Sequence, residues 1–313
     1  MQSVAVVDPA SGIGRGTEPD QPVPMELCHR VRVEDAFAVG WTELGPNRFL
    51  VRAVWPTRHP FFAPLPGGLH DPLLAVETMR QSAMAVLHAG YGVPLDHHFL
   101  LTDLDYACRP EGLAADGAAT EVDVEVTVSE PEYSGRSLAR LRVDWALRRS
   151  GRGIATGTGG GRLTSPRVYR RLRGDRARPV TWHPTAEPAD PGRVGRARVE
   201  DVVVSPGPRE DEWELRADTR HRTLFQRPND HIPGMLLFEA ARQAARAATA
   251  PDFAPFRGTI GFHRYAEFDT PCRLRTRLSP LPGPDGPVLG VTGHQEGELV
   301  FRCGFPVPGR PPA

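Results

Sequence analysis

The 313-residue sequence contains no lysine, so all 38 of its basic residues are arginines. A lysine Schiff base, as pyridoxal enzymes use, and the phosphate-binding lysine of P-loops are therefore excluded. An anion bound by this chain has to be held by arginine, histidine or backbone N–H groups. Arginine presents a planar fork of donors, which suits a phosphate or a carboxylate.

A large net charge is also lacking, because 38 acidic residues balance the arginines. A balanced chain has no basic footprint for nucleic acid. No run of 18 apolar residues is present, which disfavours a membrane-spanning helix, and no secretion signal is recognisable in the first residues, MQSVAVVDPASGIGRG. We therefore expect a cytoplasmic protein that binds neither nucleic acid nor membrane.

Cysteine is scarce and scattered. The chain has Cys28, Cys108, Cys272 and Cys303, and no two of them form a CxxC pair. This spacing disfavours a structural zinc site. We expect four reduced, partly buried thiols, and neither a metal nor another cofactor.

Two stretches of the chain are nearly the same. The first is DPLLAVETMRQSA (71–83) and the second is PGMLLFEAARQAA (233–245). Both contain a glutamate, an arginine three residues later and a glutamine directly after it: Glu77, Arg80 and Gln81, then Glu239, Arg242 and Gln243. A shorter match, DYACR (105–109) against DTPCR (269–273), follows in the same order. Landmarks that recur in order predict a duplicated unit.

The duplication divides the chain into two units of similar layout. Each has a strand, a loop, one long apolar helix and then several strands, with helices expected at Pro72–Ala89 and from Met235 to about Thr249. This is an α+β layout, in which the apolar circumference of the helix suits a curved antiparallel sheet wrapped around it. The expected divisions are a disordered tail at 1–22, a first domain at 23–165, a surface linker at 166–195 and a second domain at 196–308.

The repeated glutamate, arginine and glutamine occupy one face of each helix, because they stand at positions i, i+3 and i+4. Their neighbours are mostly apolar, and a charged pair in such surroundings costs roughly several kcal/mol per ion to desolvate. Simple mutual neutralisation of each pair stays open as an explanation. The presence of the costly pair in both copies favours a functional role.

The second helix is preceded by DHIPG (230–234). Within it, His231 is suited to take or give a proton near neutral pH, and Asp230 stands directly before it. Gly234 lets the backbone approach a ligand closely, and the free N–H groups at Gly234 and Met235 favour an oxyanion or a phosphate. In the first copy, His70 has a similar but not identical place.

These motifs resemble the central helix of the hot-dog fold, as in the 3-hydroxyacyl-carrier-protein dehydratases. The shared pattern is Pro-Gly, a glutamate five residues on, and a glutamine four residues after that. This chain lacks the dehydratase Gly-His-Phe-Pro loop and has an arginine three residues after the glutamate. As a whole it resembles the AfsA family of A-factor, γ-butyrolactone and furan signal synthases, on the strength of DHIPGMLLFEAARQA (230–244), HDPLLAVETMRQSA (70–83) and FLLTDLDYAC (99–108).

The resemblance implies two tandem hot-dog domains that form a pseudo-dimer. It also implies an acyltransferase, in which a β-ketoacyl group passes from an acyl carrier protein thioester to the hydroxyl of dihydroxyacetone phosphate. The resulting ester would condense to a butenolide phosphate, the precursor of a γ-butyrolactone or furan signal. The enzyme would be either a monomer or a homodimer.

The candidate residues fit the parts that such a reaction needs. The base that activates the hydroxyl is Glu239 or His231, with Glu77 the counterpart in the other copy. The phosphate needs a fork of donors, which Arg242 or Arg80 supplies. The candidates for substrate binding are Gln243, Gln81, Gly234, Met235, His70 and Asp230.

Two other functions stay open. A hot-dog dehydratase or thioesterase would act on an acyl thioester without any phosphorylated alcohol. A non-catalytic module would retain an acyl ligand without turning it over. The fold alone does not choose among these functions. The arginine beside each glutamate favours acyl transfer, because neither alternative needs a phosphate-binding fork.

Overall fold

The computed structural model describes residues 21–250, 252–279 and 286–307. Within these ranges the chain forms thirteen strands and three α-helices. The helices are α1 (Pro72–Ala89), α2 (Pro166–Arg173) and α3 (Gly234–Ala247). The strands are β1 (Gln21–Pro22), β2 (Ala38–Gly45), β3 (Arg48–Trp55), β4 (His98–Cys108), β5 (Thr120–Ser134), β6 (Ser137–Arg149), β7 (Arg152–Thr164), β8 (Val204–Pro206), β9 (Glu212–Leu215), β10 (Arg257–Phe262), β11 (Arg273–Leu278), β12 (Val288–Gln295) and β13 (Glu298–Pro306).

The described strands form one antiparallel sheet that consists of two matching halves. The strand order is β1-β2-β3-β5-β6-β7-β4-β10-β13-β12-β11-β9-β8. The halves join where β4 pairs with β10, with Leu104 opposite Ile260. From that junction outwards, β7, β6, β5 and β3 on one side correspond to β13, β12, β11 and β9 on the other. Helix α1 packs on the first half and α3 on the second. The expected α+β pseudo-dimer, with a helix wrapped by sheet in each half, is confirmed.

The two long helices begin and end close to the expected residues. Helix α1 spans Pro72–Ala89 as expected, and α3 starts one residue earlier and ends two residues earlier than expected. The residue after α1, Gly90, is not in a left-handed conformation (φ −83°). Glycine is required there for a different reason, since a Cβ would lie 2.8 Å from the Phe49 ring.

The match of DYACR to DTPCR as repeated landmarks was wrong. Asp105 lies inside β4, at the junction of the two halves, whereas Asp269 lies in the loop before β11. The sheet order makes β10 the counterpart of β4. The five-residue similarity therefore has no common place in the fold.

The expected linker is more than a surface connection. It begins with α2, whose Tyr169 and Arg173 side chains are buried. In the expected tail, residues 1–20 lie outside the described residues, and Gln21–Pro22 pairs with β2. The domain boundaries at 23–165 and 196–308 stay predictions.

The four cysteines are buried thiols. All four are free and buried, and burial raises the pKa of Cys28 and Cys272 to about 12. No helix in the described ranges has both the length and the apolarity that crossing a membrane requires.

Candidate active site

A glutamate on each long helix is buried among arginines. On α3, Glu239 accepts hydrogen bonds from Arg242 Nε (2.8 Å) and Nη2 (2.7 Å), from Arg196 Nε (2.7 Å) and from Gln243 Nε2. Burial alone would raise the pKa of Glu239, but the charges of Arg196 and Arg242 outweigh burial and lower that pKa to about 2. The carboxylate is ionised and fully engaged at neutral pH, which makes it a weak proton acceptor.

The same arrangement recurs on α1. Glu77 accepts hydrogen bonds from Arg80 Nε (2.9 Å) and Nη2 (2.8 Å), from Arg30 Nε (3.1 Å) and from Gln81 Nε2 (2.7 Å). Burial would raise the pKa of Glu77, but the charges of Arg30 and Arg80 lower it to about 2. Both ionic couples are therefore held inside the protein rather than in bulk water.

The second arginine of each couple comes from another repeated stretch of the chain. Arg30 begins the stretch RVRVED (30–35), and Arg196 begins RARVED (196–201). The two stretches differ at one position in six, and each ends in a 3-10 helix, at Val33–Asp35 and Val199–Asp201. This similarity is a stronger sign of duplication than DYACR, because here both copies have the same structural place.

The repeated glutamines fasten this stretch to the helix. Gln81 Nε2 donates to the Asp35 carbonyl (2.7 Å), and its Oε1 accepts from the Phe37 N–H (2.7 Å). Gln243 donates to the Asp201 carbonyl (2.7 Å) and accepts from the backbone N–H two residues further on (3.0 Å). Of the two roles expected for these side chains, orienting the glutamates fits this geometry better than binding a substrate carbonyl.

The buried glutamates should make the fold sensitive to acid. The pKa of each carboxyl falls from 4.5 to about 2 on folding. A lowered pKa stabilises the fold fully above the unfolded value, and this contribution is lost as the pH falls from about 4.5 toward 2. We expect the free energy of unfolding, measured in denaturant from neutral pH downwards, to drop steeply in this window.

A variant separates this effect from general acid denaturation. Glu239→Gln removes the carboxylate that two buried guanidinium groups share and should lower the free energy of unfolding by roughly 3–5 kcal/mol at neutral pH. Glu121→Gln, at an exposed position of β5, should change it by less than about 0.5 kcal/mol. Equal stabilities of the two variants would show that the couple does not stabilise the fold.

The two helix starts differ in what they offer a ligand. The start of α1 is closed: the Asp71 carboxylate accepts from the Leu73 N–H (2.9 Å), and Pro72 has no N–H to give. All three residues are buried. This helix start therefore has no donor available for a substrate, even though helix starts in general attract anions.

The start of α3 is open. Its N-cap is Pro233, which makes no side-chain capping bond. Gly234 and Met235 are half-buried, and their N–H groups have no hydrogen-bond partner in the described part of the chain. Two adjacent N–H groups at a helix start form a suitable place for a carbonyl oxygen that develops negative charge.

An aspartate–histidine pair lies directly before this open helix start. His231 Nδ1 is 2.7 Å from Asp230 Oδ1, so Nδ1 donates to the carboxylate and Nε2 remains for proton uptake. The Tyr169 hydroxyl (2.7 Å) and Arg173 Nε (3.0 Å) donate to Asp230 Oδ2. Burial would raise the pKa of Asp230, but the hydrogen bonds from His231 and Tyr169 hold it well below its usual range. Asp230 is therefore a permanent carboxylate that orients His231.

The surroundings of this pair come from both halves of the molecule. His98, in β4 of the first half, stacks on the Tyr169 ring with 3.5 Å between centroids. Tyr265, in the second half, packs edge-on against His231 at 4.8 Å. Its hydroxyl is buried and has no hydrogen-bond partner among the described residues. The pair thus lies where the two halves meet, next to an unused hydroxyl donor.

One arginine, Arg227, is near both this Asp230–His231 pair and the arginine cluster on α1. Arg227 lies on the loop before α3, and its side chain is exposed. The pKa of its guanidinium group is lowered first by partial desolvation and then by the charges of Arg80 and Arg30. Burial lowers the pKa of His98, with opposing effects of Asp230 and Arg227. Arg227 is thus within electrostatic reach of both the α1 cluster and the residues around Asp230.

The two clusters differ in access and in net charge. The Arg80 side chain is 25% exposed, and the charges of Arg80 and Arg30 act on Arg227. These three guanidinium groups outnumber the two nearby carboxylates, Glu77 and Asp35. The Arg242 side chain is only 5% exposed. Burial would lower the pKa of Arg242, but the nearby carboxylates of Glu239 and Asp71 raise it. The first cluster is accessible and positive, whereas the second is closed and close to neutral.

Comparisons with known proteins agree with this architecture. Residues 15–165 and 178–300 match the family model described as an A-factor biosynthesis hotdog domain (AfsA). The chain belongs to the AfsA family.

Two similar AfsA relatives carry the name 2-oxo-3-(phosphooxy)propyl 3-oxoalkanoate synthase. The protein from Streptomyces coelicolor is 52% identical, and the one from Streptomyces griseus is 49% identical, each over 96% of this chain and 96% of the relative. A solved structure, the 12:0-ACP thioesterase from Umbellularia californica, is 15% identical with a TM-score of 0.48, over 84% of this chain and 98% of that one.

In this AfsA chain the predicted residues fall into four places. The open start of α3 contains Asp230, His231, Gly234 and Met235. The accessible cluster contains Glu77, Arg80 and Gln81, and the closed cluster contains Glu239, Arg242 and Gln243. His70 is buried at the closed start of α1, where its Nε2 lies 3.0 Å from Thr120 Oγ1.

Sequence reasoning missed the residues that complete the site. They are Arg30, His98, Tyr169, Arg173, Arg227 and Tyr265. For α2, a usable signal was present, because Ser165 followed by Pro166 is a typical helix start. Arg227 and Tyr265 stand in irregular segments, where no periodicity marks a position.

Proposed function

We propose that this chain is a 2-oxo-3-(phosphooxy)propyl 3-oxoalkanoate synthase. It transfers a β-ketoacyl group from an acyl carrier protein thioester to the hydroxyl of dihydroxyacetone phosphate, in the cytoplasm. The relatives' shared name describes the ester that this transfer makes. One observation carries the proposal: an uncapped helix start and an aspartate–histidine pair lie beside an accessible excess of arginine.

His231 is the base in this proposal. Asp230 holds its Nδ1, so Nε2 takes the proton from the substrate hydroxyl as the oxygen attacks the thioester carbon. Tyr169 and Arg173 hold Asp230 in turn, which fixes the tautomer and the ring orientation of His231. Of the bases considered from the sequence, the two glutamates are less suitable, since arginines hold both as carboxylates.

The N–H groups of Gly234 and Met235 stabilise the tetrahedral intermediate. Attack on the thioester moves negative charge onto the carbonyl oxygen, and two preorganised donors are most valuable at that stage. When the carbon–sulfur bond breaks, the departing thiolate takes the proton from His231 Nε2. The products are an ester and a free thiol, and the histidine returns to its starting state.

The phosphate of the acceptor belongs at the accessible cluster. Arg80 and Arg227 present guanidinium groups there, and the excess of positive charge over Glu77 favours a dianion. Glu77 and Arg30 act through Arg80, by holding its side chain in place. This assigns the fork expected from the sequence to Arg80 rather than to Arg242, which lies in the closed cluster.

One chain has one working site in this proposal. The second copy, on α3, keeps the glutamate, arginine and glutamine. The helix start near this copy is that of α1, which Asp71 closes. The repeated network therefore serves as a framework in both copies, and Arg227 connects the first cluster electrostatically to the residues beside the open helix start. Since both halves belong to the same chain, a monomer is sufficient for activity.

The test is a mass-spectrometric assay with a β-ketoacyl carrier-protein thioester and dihydroxyacetone phosphate. Appearance of the phosphorylated ester, or of the butenolide phosphate that forms when it condenses, supports the proposal. A parallel reaction without the phosphorylated alcohol decides the alternatives. Free acid would indicate a thioesterase, an unsaturated thioester would indicate a dehydratase, and a retained ligand without turnover would indicate a binding module.

A further inference from the structure

Helix α2 has two faces with different chemistry. Its inner face supplies Tyr169 and Arg173 to the carboxylate of Asp230. Its eight residues, PRVYRRLR, include four arginines and no acid. The inner face takes one of these arginines, so three remain on the outside, together with two apolar side chains.

The outer face of α2 is an unneutralised basic patch. Arg167, Arg170 and Arg171 are exposed, and in the described ranges none of them forms an ion pair. Two apolar side chains next to these arginines are also exposed, Leu172 by 66% and Val168 by 47%. In a chain with zero net charge, such a local concentration of one sign around apolar side chains is typical of an interaction surface.

We propose that the outer face of α2 docks the acyl carrier protein that delivers the thioester. This inference depends on the proposed function, in which a carrier protein is the donor. Acyl carrier proteins are small acidic proteins, so a row of free guanidinium groups has the complementary charge. The apolar pair Val168 and Leu172 supplies the contact that such a patch needs at its centre.

Helix α2 lies next to the residues that carry out the proposed reaction. The outer arginines stand within two residues of Tyr169, whose hydroxyl touches the carboxylate that orients His231. A carrier protein bound on the outer face therefore delivers its flexible acyl arm next to the base and the open start of α3. Arg176, just beyond α2, is partly neutralised by Glu267 (3.3 Å) and Asp269 (3.6 Å) and contributes less to the patch.

Charge reversal with two kinds of donor tests the proposal. The double variant Arg170→Glu/Arg171→Glu should lower kcat/KM for the carrier-protein thioester by about tenfold or more, and should weaken its dependence on salt. With a β-ketoacyl pantetheine thioester, which has no protein to dock, its kcat/KM should stay within about twofold of the parent, because neither arginine touches the reacting groups. The matched control, Arg136→Glu/Arg152→Glu, reverses the charge of two exposed arginines outside α2. It should leave kcat/KM unchanged with both thioester donors.

The outcomes separate this inference from the proposed function. Ester formation from both donors, with the α2 variant unchanged on the carrier protein, overturns docking on α2 and leaves the function standing. No ester from either donor overturns the function. Titration of a labelled acyl carrier protein, followed by fluorescence anisotropy, then decides docking by itself. Weaker binding to the α2 variant than to the parent supports docking on α2, and equal binding overturns it. If the α2 variant loses the parent's binding to anionic phospholipid vesicles but binds the carrier protein as the parent does, the patch binds a membrane surface instead.

Discussion

Replacing His231 with glutamine should lower kcat for ester formation by about 10²- to 10⁴-fold, which is the usual contribution of a positioned general base. Glutamine is similar in size and can still hydrogen-bond to Asp230, but it cannot take a proton at neutral pH. The hydroxyl of the acceptor would then have to lose its proton to water. Because His231 does not hold the phosphate in our proposal, KM for dihydroxyacetone phosphate should change little.

The measurement is steady-state kinetics with a fixed, saturating thioester and a varied acceptor. His263→Gln is the matched control, since His263 is an exposed histidine in the same half and should have no effect. A His231→Gln variant that keeps more than about a tenth of the parent kcat would exclude this residue as the base. The glutamates of the two clusters would then need to be reconsidered in spite of their low pKa values.

Asp230 provides a second check on the same assignment. Asp230→Asn keeps the shape of the side chain but removes the carboxylate that makes Nδ1 of His231 the protonated nitrogen. Its effect on kcat should therefore resemble that of His231→Gln, and the double variant should be little worse than either single variant, because the two residues act as a unit. Additive losses would contradict a shared role.

The sequence allowed much of the fold to be predicted, because the relevant signals are local. Helix α1 has a proline at its first position and an aspartate before it, and these features mark its start to the residue. The Glu-Arg-Gln spacing placed three side chains on one helix face, and the structure has them in one cluster on each long helix. Signals of this kind depend on residues within one or two helical turns of each other.

The site was harder to predict because its parts are far apart in sequence. His231 and Asp230 were recognised, since they stand beside a helix start with a glycine. Tyr169 and His98 were not, because only the pairing of β4 with β10 and the packing of α2 bring them to the second half. Nothing local in either stretch indicates that contact.

In our proposal the repeated residues form a framework rather than the catalytic group, and the duplication explains why their sequence pattern also fits a catalytic role. Selection for a buried ionic framework and selection for catalysis leave the same repeated letters in a sequence. The structure separates them by what differs between the copies: Asp71 closes one helix start, whereas Pro233 and Gly234 leave the other open. In our proposal the functional information is therefore in the differences between the copies rather than in their similarity.

Replacing Arg227 with glutamine should raise KM for dihydroxyacetone phosphate by about 10- to 100-fold, as expected for the loss of a charged hydrogen bond to a phosphate. The side chain is exposed and forms no ion pair in the described part of the chain, so the fold should not suffer. With unphosphorylated dihydroxyacetone as acceptor, the parent and the variant should have the same kcat/KM. Arg222→Gln, five residues earlier on the same loop and 72% exposed, is the control and should behave like the parent. An equal loss on the phosphorylated and the unphosphorylated acceptor would mean that Arg227 supports the loop rather than the phosphate, and that the positive cluster on α1 has another purpose.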